Sequence, residues 1–157
     1  LHYAETLGLP RIVSIQNVYN LVSQNFEHGL SEIALREDVG LLAYSPLAQG
    51  YLTGKYQNGA LPEGSRKQLF NRLQRYETPG APAAIDAYLK IARDHDLNPA
   101  QMALQWVTTR PFVTSNIIGA TTMDQLRMNL DSIHLELSQE VLDAIEHTNR
   151  LYTYPCP

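Results

Sequence analysis

The sequence predicts an α/β fold organised on a parallel sheet. Two patterns point there: short apolar, β-rich runs alternate with stretches of helical periodicity, and Gly and Pro signals separate them. Composition agrees. The 157 residues are 44% hydrophobic and 18% charged, with 9 Gly and 9 Pro, a globular make-up able to bury a core and unlike that of disordered or collagenous chains.

Residues 1–7 read as a helix, so the chain opens on Leu1 inside an element. That start raises the expectation of a piece of something longer, although proteolytic maturation gives the same beginning. Gly8-Leu9-Pro10 is a turn signal, and Arg11-Ile12-Val13-Ser14-Ile15-Gln16 a first strand. Phe26, Leu30 and Ile33 recur at helical spacing and predict an amphipathic helix over residues 24–37. Residues 40–44 form a second apolar strand. Residues 45–80, rich in Gly, Pro and polar side chains, make a long loop of the kind often kept for function. Ile85, Tyr88, Leu89 and Ala92 then predict a helix over 81–94. Asn98-Pro99 is a helix start, with an N-cap Asn and Pro at the first position, and Met102, Ala103, Trp106 and Val107 are its buried stripe. Residues 112–118 form a third strand ending at Gly119. Thr121 or Thr122 caps a helix with Met123, Leu126 and Leu130 on its apolar face, and Ser138 starts a last helix with Val141, Leu142 and Ile145 inward. Pro155 and Pro157 keep the tail non-helical. Three strands fall short of the eight that close a (β/α)₈ barrel, and they leave a sheet edge to be covered or paired.

Charge narrows the function classes. Residues 51–76 hold Lys55, Arg66, Lys67, Arg72 and Arg75 against one acid, Glu63, a net +4; the chain totals −4, so the remainder carries −8. A local basic loop suits a small anionic ligand, or is a solvated surface loop; nucleic-acid binding needs a broader basic face. No apolar run approaches the roughly 20 residues that span a bilayer. One cysteine, Cys156, rules out an intrachain disulfide framework and a Cys-rich zinc site. A reducing, cytoplasmic setting fits.

Ligand sites in parallel α/β folds lie at the carboxyl ends of the strands. Here those ends read Gln16-Asn17, Tyr44-Ser45-Pro46-Leu47 and Gly119-Ala120-Thr121-Thr122. The amides are either backbone-satisfying or ligand-binding, and Tyr44 either packs in the core or stacks on a planar ligand. Gly119 before a helix N-terminus is either an ordinary capped start or an anion site.

Ile15-Gln16-Asn17-Val18-Tyr19-Asn20-Leu21, the run Ala43-Tyr44-Ser45-Pro46-Leu47-Ala48-Gln49-Gly50 with Tyr51-Leu52-Thr53-Gly54-Lys55-Tyr56 after it, Ala100 to Trp106, and Ile117-Ile118-Gly119-Ala120-Thr121-Thr122 with Gln125-Leu126 and Asn129 following resemble the aldo-keto reductases. The nearest branch is that of the bacterial Tas-like proteins and the potassium-channel β subunits. Each motif alone is weak, but together, in order and at family spacing, they are specific and cover nearly the whole chain.

The resemblance implies the C-terminal part of a (β/α)₈ barrel, strands six to eight with their helices, as one partial domain over residues 1–157. It implies a nicotinamide cofactor, NADP(H) or, less typically, NAD(H). Gln16 would bind the carboxamide and Tyr44 would stack on the nicotinamide. Ser45, Pro46, Leu47 and Gln49 would line the pyrophosphate side, Lys55 and Arg66 would face the phosphates, and Gly119, Thr121, Gln125 and Asn129 would lie along the adenosine end. Relatives that carry Lys or Arg near the eighth strand bind the 2′-phosphate with them; this chain reads Gly119 and Gln125 there.

The family's acid–base set, a Tyr assisted by Lys, Asp and His, belongs to strands two to four, which would precede Leu1. None of His2, His28, His95, His134 and His147 falls at a strand end to replace it. The expectation is therefore a cofactor-binding part of an enzyme reducing aldehydes or ketones to alcohols, with no catalytic or metal-ligating residue of its own and inactive alone. The rival expectations are a non-catalytic nucleotide-binding and interaction module of the channel β type, and a truncation without function.

Overall fold

Three short strands, β1 (Ser14–Val18), β2 (Gly40–Tyr44) and β3 (Val113–Ile117), pair in that order into one parallel sheet in the computed structural model, which describes residues 1–71 and 74–156. Arg72 and Pro157, singled out in the sequence, lie outside the described residues. The register sets Gln16 opposite Leu42 and Val18 opposite Tyr44; an irregularity between Leu41 and Leu42 then brings Leu42 opposite Ser115 and Tyr44 opposite Ile117. Because strand side chains alternate, the sheet has two distinct faces. Leu41 and Ala43 are fully buried on the helix side, where Asn116 donates to the Leu104 carbonyl (3.1 Å) and Thr108 hydroxyl (2.8 Å). The other face, with Gln16, Leu42, Tyr44, Ser115 and Ile117, is open, and Gln16 and Ile117 are exposed on it. Parallel sheets are usually covered on both faces.

The helices are α1 (His2–Thr6), α2 (Leu30–Arg36), α3 (Arg66–Phe70), α4 (Ala81–Asp94), α5 (Pro99–Thr108), α6 (Met123–Asp131) and α7 (Gln139–Leu151). Local chemistry explains the best-formed starts. Asn98 accepts from the N–H groups of Ala100 (2.9 Å) and Gln101 (3.2 Å), Thr122 from Gln125 (3.2 Å), and Ser138 from Val141 (3.3 Å). Helices α4, α5 and α7 bury the stripes their spacing predicted, around Trp106, which stacks on Tyr19 at 5.2 Å between ring centroids.

Three expectations need correction. The first strand begins at Ser14, leaving Ile12 and Val13 exposed ahead of it. The helix expected over 24–37 is two pieces, a 3₁₀ turn at Asn25–Glu27 and α2, because Gly29 at φ 98° breaks it; His28 lies in that break. Phe26 is buried, but Leu30 and Ile33 are exposed beside an apolar groove against β1. On α6 the expected inward face is likewise open, with Met123 and Leu130 exposed and Asn129 buried instead. The long loop is not structureless: it holds 3₁₀ turns and α3. Among the described residues no helix is long and apolar enough to cross a membrane, and no group of metal-ligating side chains gathers.

Candidate functional site

The carboxyl ends of β1 and β2 are tied by Asn20. Its side chain is fully buried; Nδ2 donates to the Ser45 carbonyl (2.9 Å) and the Tyr76 hydroxyl (3.2 Å), and Oδ1 accepts from the Val22 N–H (3.0 Å). Past Tyr44 the backbone repeatedly enters the left-handed region, at Ser45 (φ 55°), Ala48 (48°), Gln49 (56°) and Gly50 (100°). Non-glycine residues there cost of order 1 kcal/mol or more each and persist where surroundings over-determine them, often at functional sites. Asn20 supplies one restraint, and the turn bonds from Ala48 N–H to Ser45 (2.9 Å) and Gly50 N–H to Leu47 (2.8 Å) supply others. Pro46 is buried within this turn.

Gly50 also makes room for a cation. A Cβ there would stand 2.5 Å from Lys55 Cε and 2.8 Å from Nζ, so the Lys55 side chain folds back over the left-handed run, with Nζ 5.2 Å from the Tyr56 ring centroid. Gln16 and Tyr44 are diagonal neighbours on the open sheet face, since Gln16 faces Leu42, two places before Tyr44, and Tyr44 faces Val18, two places after Gln16. The Tyr44 hydroxyl accepts from Arg75 Nη1 (3.3 Å), which holds the guanidinium above its ordinary pKa.

Beside them is a compact polar cluster. Lys67 Nζ lies 2.8 Å from Glu77 Oε1 and donates to the Tyr51 hydroxyl (3.1 Å), which donates to Glu77 (2.6 Å). The same ammonium stands over the Tyr51 and Tyr56 rings at 5.4 and 5.9 Å. The bond from Lys67 pulls the Glu77 carboxyl below its usual range, the bond to Glu77 raises Lys67, and burial raises Tyr51.

At the end of β3, Gly119 borders open space. The Thr121 N–H and hydroxyl both donate to Gln125 Oε1 (2.9 and 3.1 Å), so that Gln125 closes the helix start reciprocally with Thr122. Asn129 is buried, and its Oδ1 has no partner among the described residues; nor has the buried Oε1 of Gln49. Buried polar atoms left unpaired are rare and call for a ligand, water or strain to account for them.

The sequence model of the Aldo/keto reductase family matches residues 1–150. The chain belongs to that family. It is 55% identical over its whole length to "Protein tas" of Escherichia coli (strain K12), covering 45% of that protein. It is 33% identical over 153 residues, 92% of this chain and 44% of the relative, to the "Putative voltage-gated potassium channel subunit beta" of Schizosaccharomyces pombe. It is 35% identical over 138 residues, 83% of this chain and 40% of the relative, to the "L-glyceraldehyde 3-phosphate reductase" of Escherichia coli O157:H7. The chain thus spans less than half the length of these curated relatives.

The fold gathers Tyr44, Ser45, Pro46, Leu47, Gln49 and Lys55 at and beyond the end of β2, while Gln16, expected at a strand end, is the middle residue of β1, which runs on to Val18, and lies diagonally across from Tyr44. Gly119, Thr121, Gln125 and Asn129 group separately at the end of β3. Arg66 is exposed at the first position of α3, joined by no hydrogen bond or ion pair to either group among the described residues. Sequence reasoning missed Asn20, Glu77 and the Arg75–Tyr44 contact. Asn20 belongs to the Ile15–Leu21 motif, and Glu77 directly follows the basic stretch 51–76.

Proposed function

We propose that this chain is the C-terminal, cofactor-gripping part of an NADP(H)-dependent aldo-keto reductase barrel that reduces aldehydes or ketones to alcohols. The observation carrying this reading is the strained left-handed run that follows Tyr44 directly on the open sheet face, flanked by Lys55. The buried, unpartnered Gln49 Oε1 and Asn129 Oδ1 and the open space at Gly119 fit an extended polar ligand. A nicotinamide dinucleotide, when bound, supplies the hydride.

The residues then divide the binding. Gln16 offers its amide to the carboxamide, and Tyr44 its ring face to the nicotinamide. Ser45 and the backbone of Leu47, in the turn shaped by Pro46, take the pyrophosphate with Gln49 beside them. Lys55 and Arg66 supply positive charge to the phosphates. Gly119, Thr121, Gln125 and Asn129 receive the adenosine end, where Thr121 and Gln125 are exposed and Asn129 turns an acceptor inward. Arg127, the nearest cation in sequence, is exposed and 3.9 Å from Asp124. The preference for NADP(H) over NAD(H) therefore rests on the family branch. The unpaired edges of β1 and β3, and the exposed apolar side chains of α2 and α6, match neighbours supplied by the rest of a barrel.

Nucleotide titration tests the reading. The full-length protein should bind NADPH saturably and more tightly than NADH, and Tyr44→Ala and Lys55→Met should each weaken it by roughly tenfold, the scale of a lost charge-assisted or stacking contact. No saturable binding of either nucleotide refutes it. Aldehyde turnover should appear in the full-length protein and be absent from the 157 residues alone. Nucleotide binding without turnover in the full-length protein would favour the interaction module instead.

A further inference from the structure

We propose that Arg75 is a specificity-determining residue that recognises an anionic group, a carboxylate or phosphate, on the carbonyl substrate; this rests on the reading of the site given above. The basic loop divides its cations between two tasks. Lys67 is spent internally, with Glu77 at 2.8 Å, Tyr51 at 3.1 Å and two aromatic rings beneath it. Glu77 is the acid nearest Arg75 in sequence, and it is committed to Lys67 and Tyr51. Arg75 has no carboxylate partner among the described residues; its guanidinium donates to the Tyr44 hydroxyl at 3.3 Å and also lies by the hydroxyl of neighbouring Tyr76. A neutral phenol neutralises nothing. The guanidinium keeps its charge and most of its five N–H donors available, in a fork that fits carboxylate and phosphate oxygens.

Its position is set from both sides. Tyr76, next in the chain, is buried and bonded through its hydroxyl to Asn20, and Glu77 is pinned by Lys67. The backbone that carries Arg75 is therefore anchored to the ends of β1 and β2, while the side chain itself is exposed. An uncompensated cation at the hydroxyl end of Tyr44, on the side of the sheet where Gln16 also stands, is placed to draw in an anion lying beside the Tyr44 ring. That anion is either a substituent of the substrate or a phosphate of the dinucleotide, and the substituent is the assignment made here, because Lys55 folds over the left-handed turn on the pyrophosphate side.

The test compares 4-carboxybenzaldehyde with benzaldehyde by saturation-transfer NMR on the full chain, wild type, Arg75→Met and Arg75→Lys, with NADPH affinity measured on the same samples. Arg75 is exposed and its recorded side-chain contacts are with neutral phenols, so neither variant threatens the core. Wild type should bind the carboxylated aldehyde roughly tenfold more tightly, the scale of one charge-assisted contact. Arg75→Met should bring the two ligands to parity, and Arg75→Lys should retain part of the preference. No preference in wild type, or an undiminished one in Arg75→Met, overturns the proposal. So does a fall in NADPH affinity in Arg75→Met with the aldehyde preference intact, which would assign the guanidinium to the cofactor's phosphate. A preference that depends on Arg75 in a protein that binds no nucleotide would leave the substrate assignment standing and remove the nicotinamide reading.

Discussion

Replacing Asn20 with Ala should cost the chain about 3 kcal/mol. The side chain makes three hydrogen bonds at 2.9–3.2 Å and is fully buried. A net bond contributes about 1 kcal/mol, and a buried donor or acceptor left without its partner costs about 1–3 kcal/mol. The truncation strands the Val22 N–H and leaves the Ser45 carbonyl with the Ala48 N–H alone, so the sum sits at the upper end of single-site effects. Urea unfolding followed by the fluorescence of Trp106, which is 3% exposed, reads this directly. With a slope of about 2 kcal/mol per molar, the midpoint should fall by about 1.5 M. Asn20→Asp keeps an acceptor for Val22 and loses both donors, so it separates the restraint on Ser45 from local turn formation. A double-mutant cycle with Tyr76→Phe should show coupling of about 1 kcal/mol, because one hydroxyl is shared. A midpoint shift below about 0.3 M, or strict additivity with Tyr76→Phe, would refute the claim that Asn20 ties the two strand ends together.

Glu77→Gln should flatten the acid limb of the stability curve. The folded carboxyl titrates below its unfolded value, so its contribution is complete above about pH 5 and lost as pH falls through the folded pKa; with Glu77 36% exposed it amounts to only about 0.5 kcal/mol and shrinks in salt, measurable by thermal melts between pH 7 and 3. Gly50→Ala combines a left-handed φ of 100° with a Cβ 2.5 Å from Lys55 Cε, and should lower stability by about 1 kcal/mol while displacing Lys55 and weakening NADPH more than an exposed Gly59→Ala control does. Asn98→Ala removes a side chain that accepts from two N–H groups at the start of α5 and should cost about 1–2 kcal/mol by chemical denaturation. The Cys156 thiol, buried and pushed up to about 11 by its apolar surroundings, should resist a disulfide reagent at pH 8 until urea exposes it.

Helices α4, α5 and α7 were readable because their signals are local. A cap such as Asn98 or Ser138 bonds N–H groups two or three residues away, and a stripe such as Met102, Trp106 and Val107 repeats within one or two turns. The parallel order of the strands followed for the same reason, from alternation alone. Burial was less readable. Periodicity marks Leu30, Ile33, Met123 and Leu130 as an apolar side but does not say what covers it, and in this chain these side chains are exposed. Gly29 broke a helix whose spacing ran through it, since periodicity carries no information about φ. In the candidate site, the motifs placed Gln16 and Tyr44 at strand ends, and only register showed that they share one face.

Composition and spacing by themselves determined an α/β chain with a parallel sheet, its principal helices and a basic loop after the second strand. These depend on interactions over a few residues, which a sequence displays directly. The tertiary structure decided what the basic loop does with its charges. It spends Lys67 on Glu77 and Tyr51, folds Lys55 over Gly50 and leaves Arg75 beside Tyr44 without an acid. Asn20 was also settled there, as the tie between two strand ends. Those assignments depend on groups separated by 5 to 56 residues along the chain, and a net charge of +4 cannot say which cations are already paired.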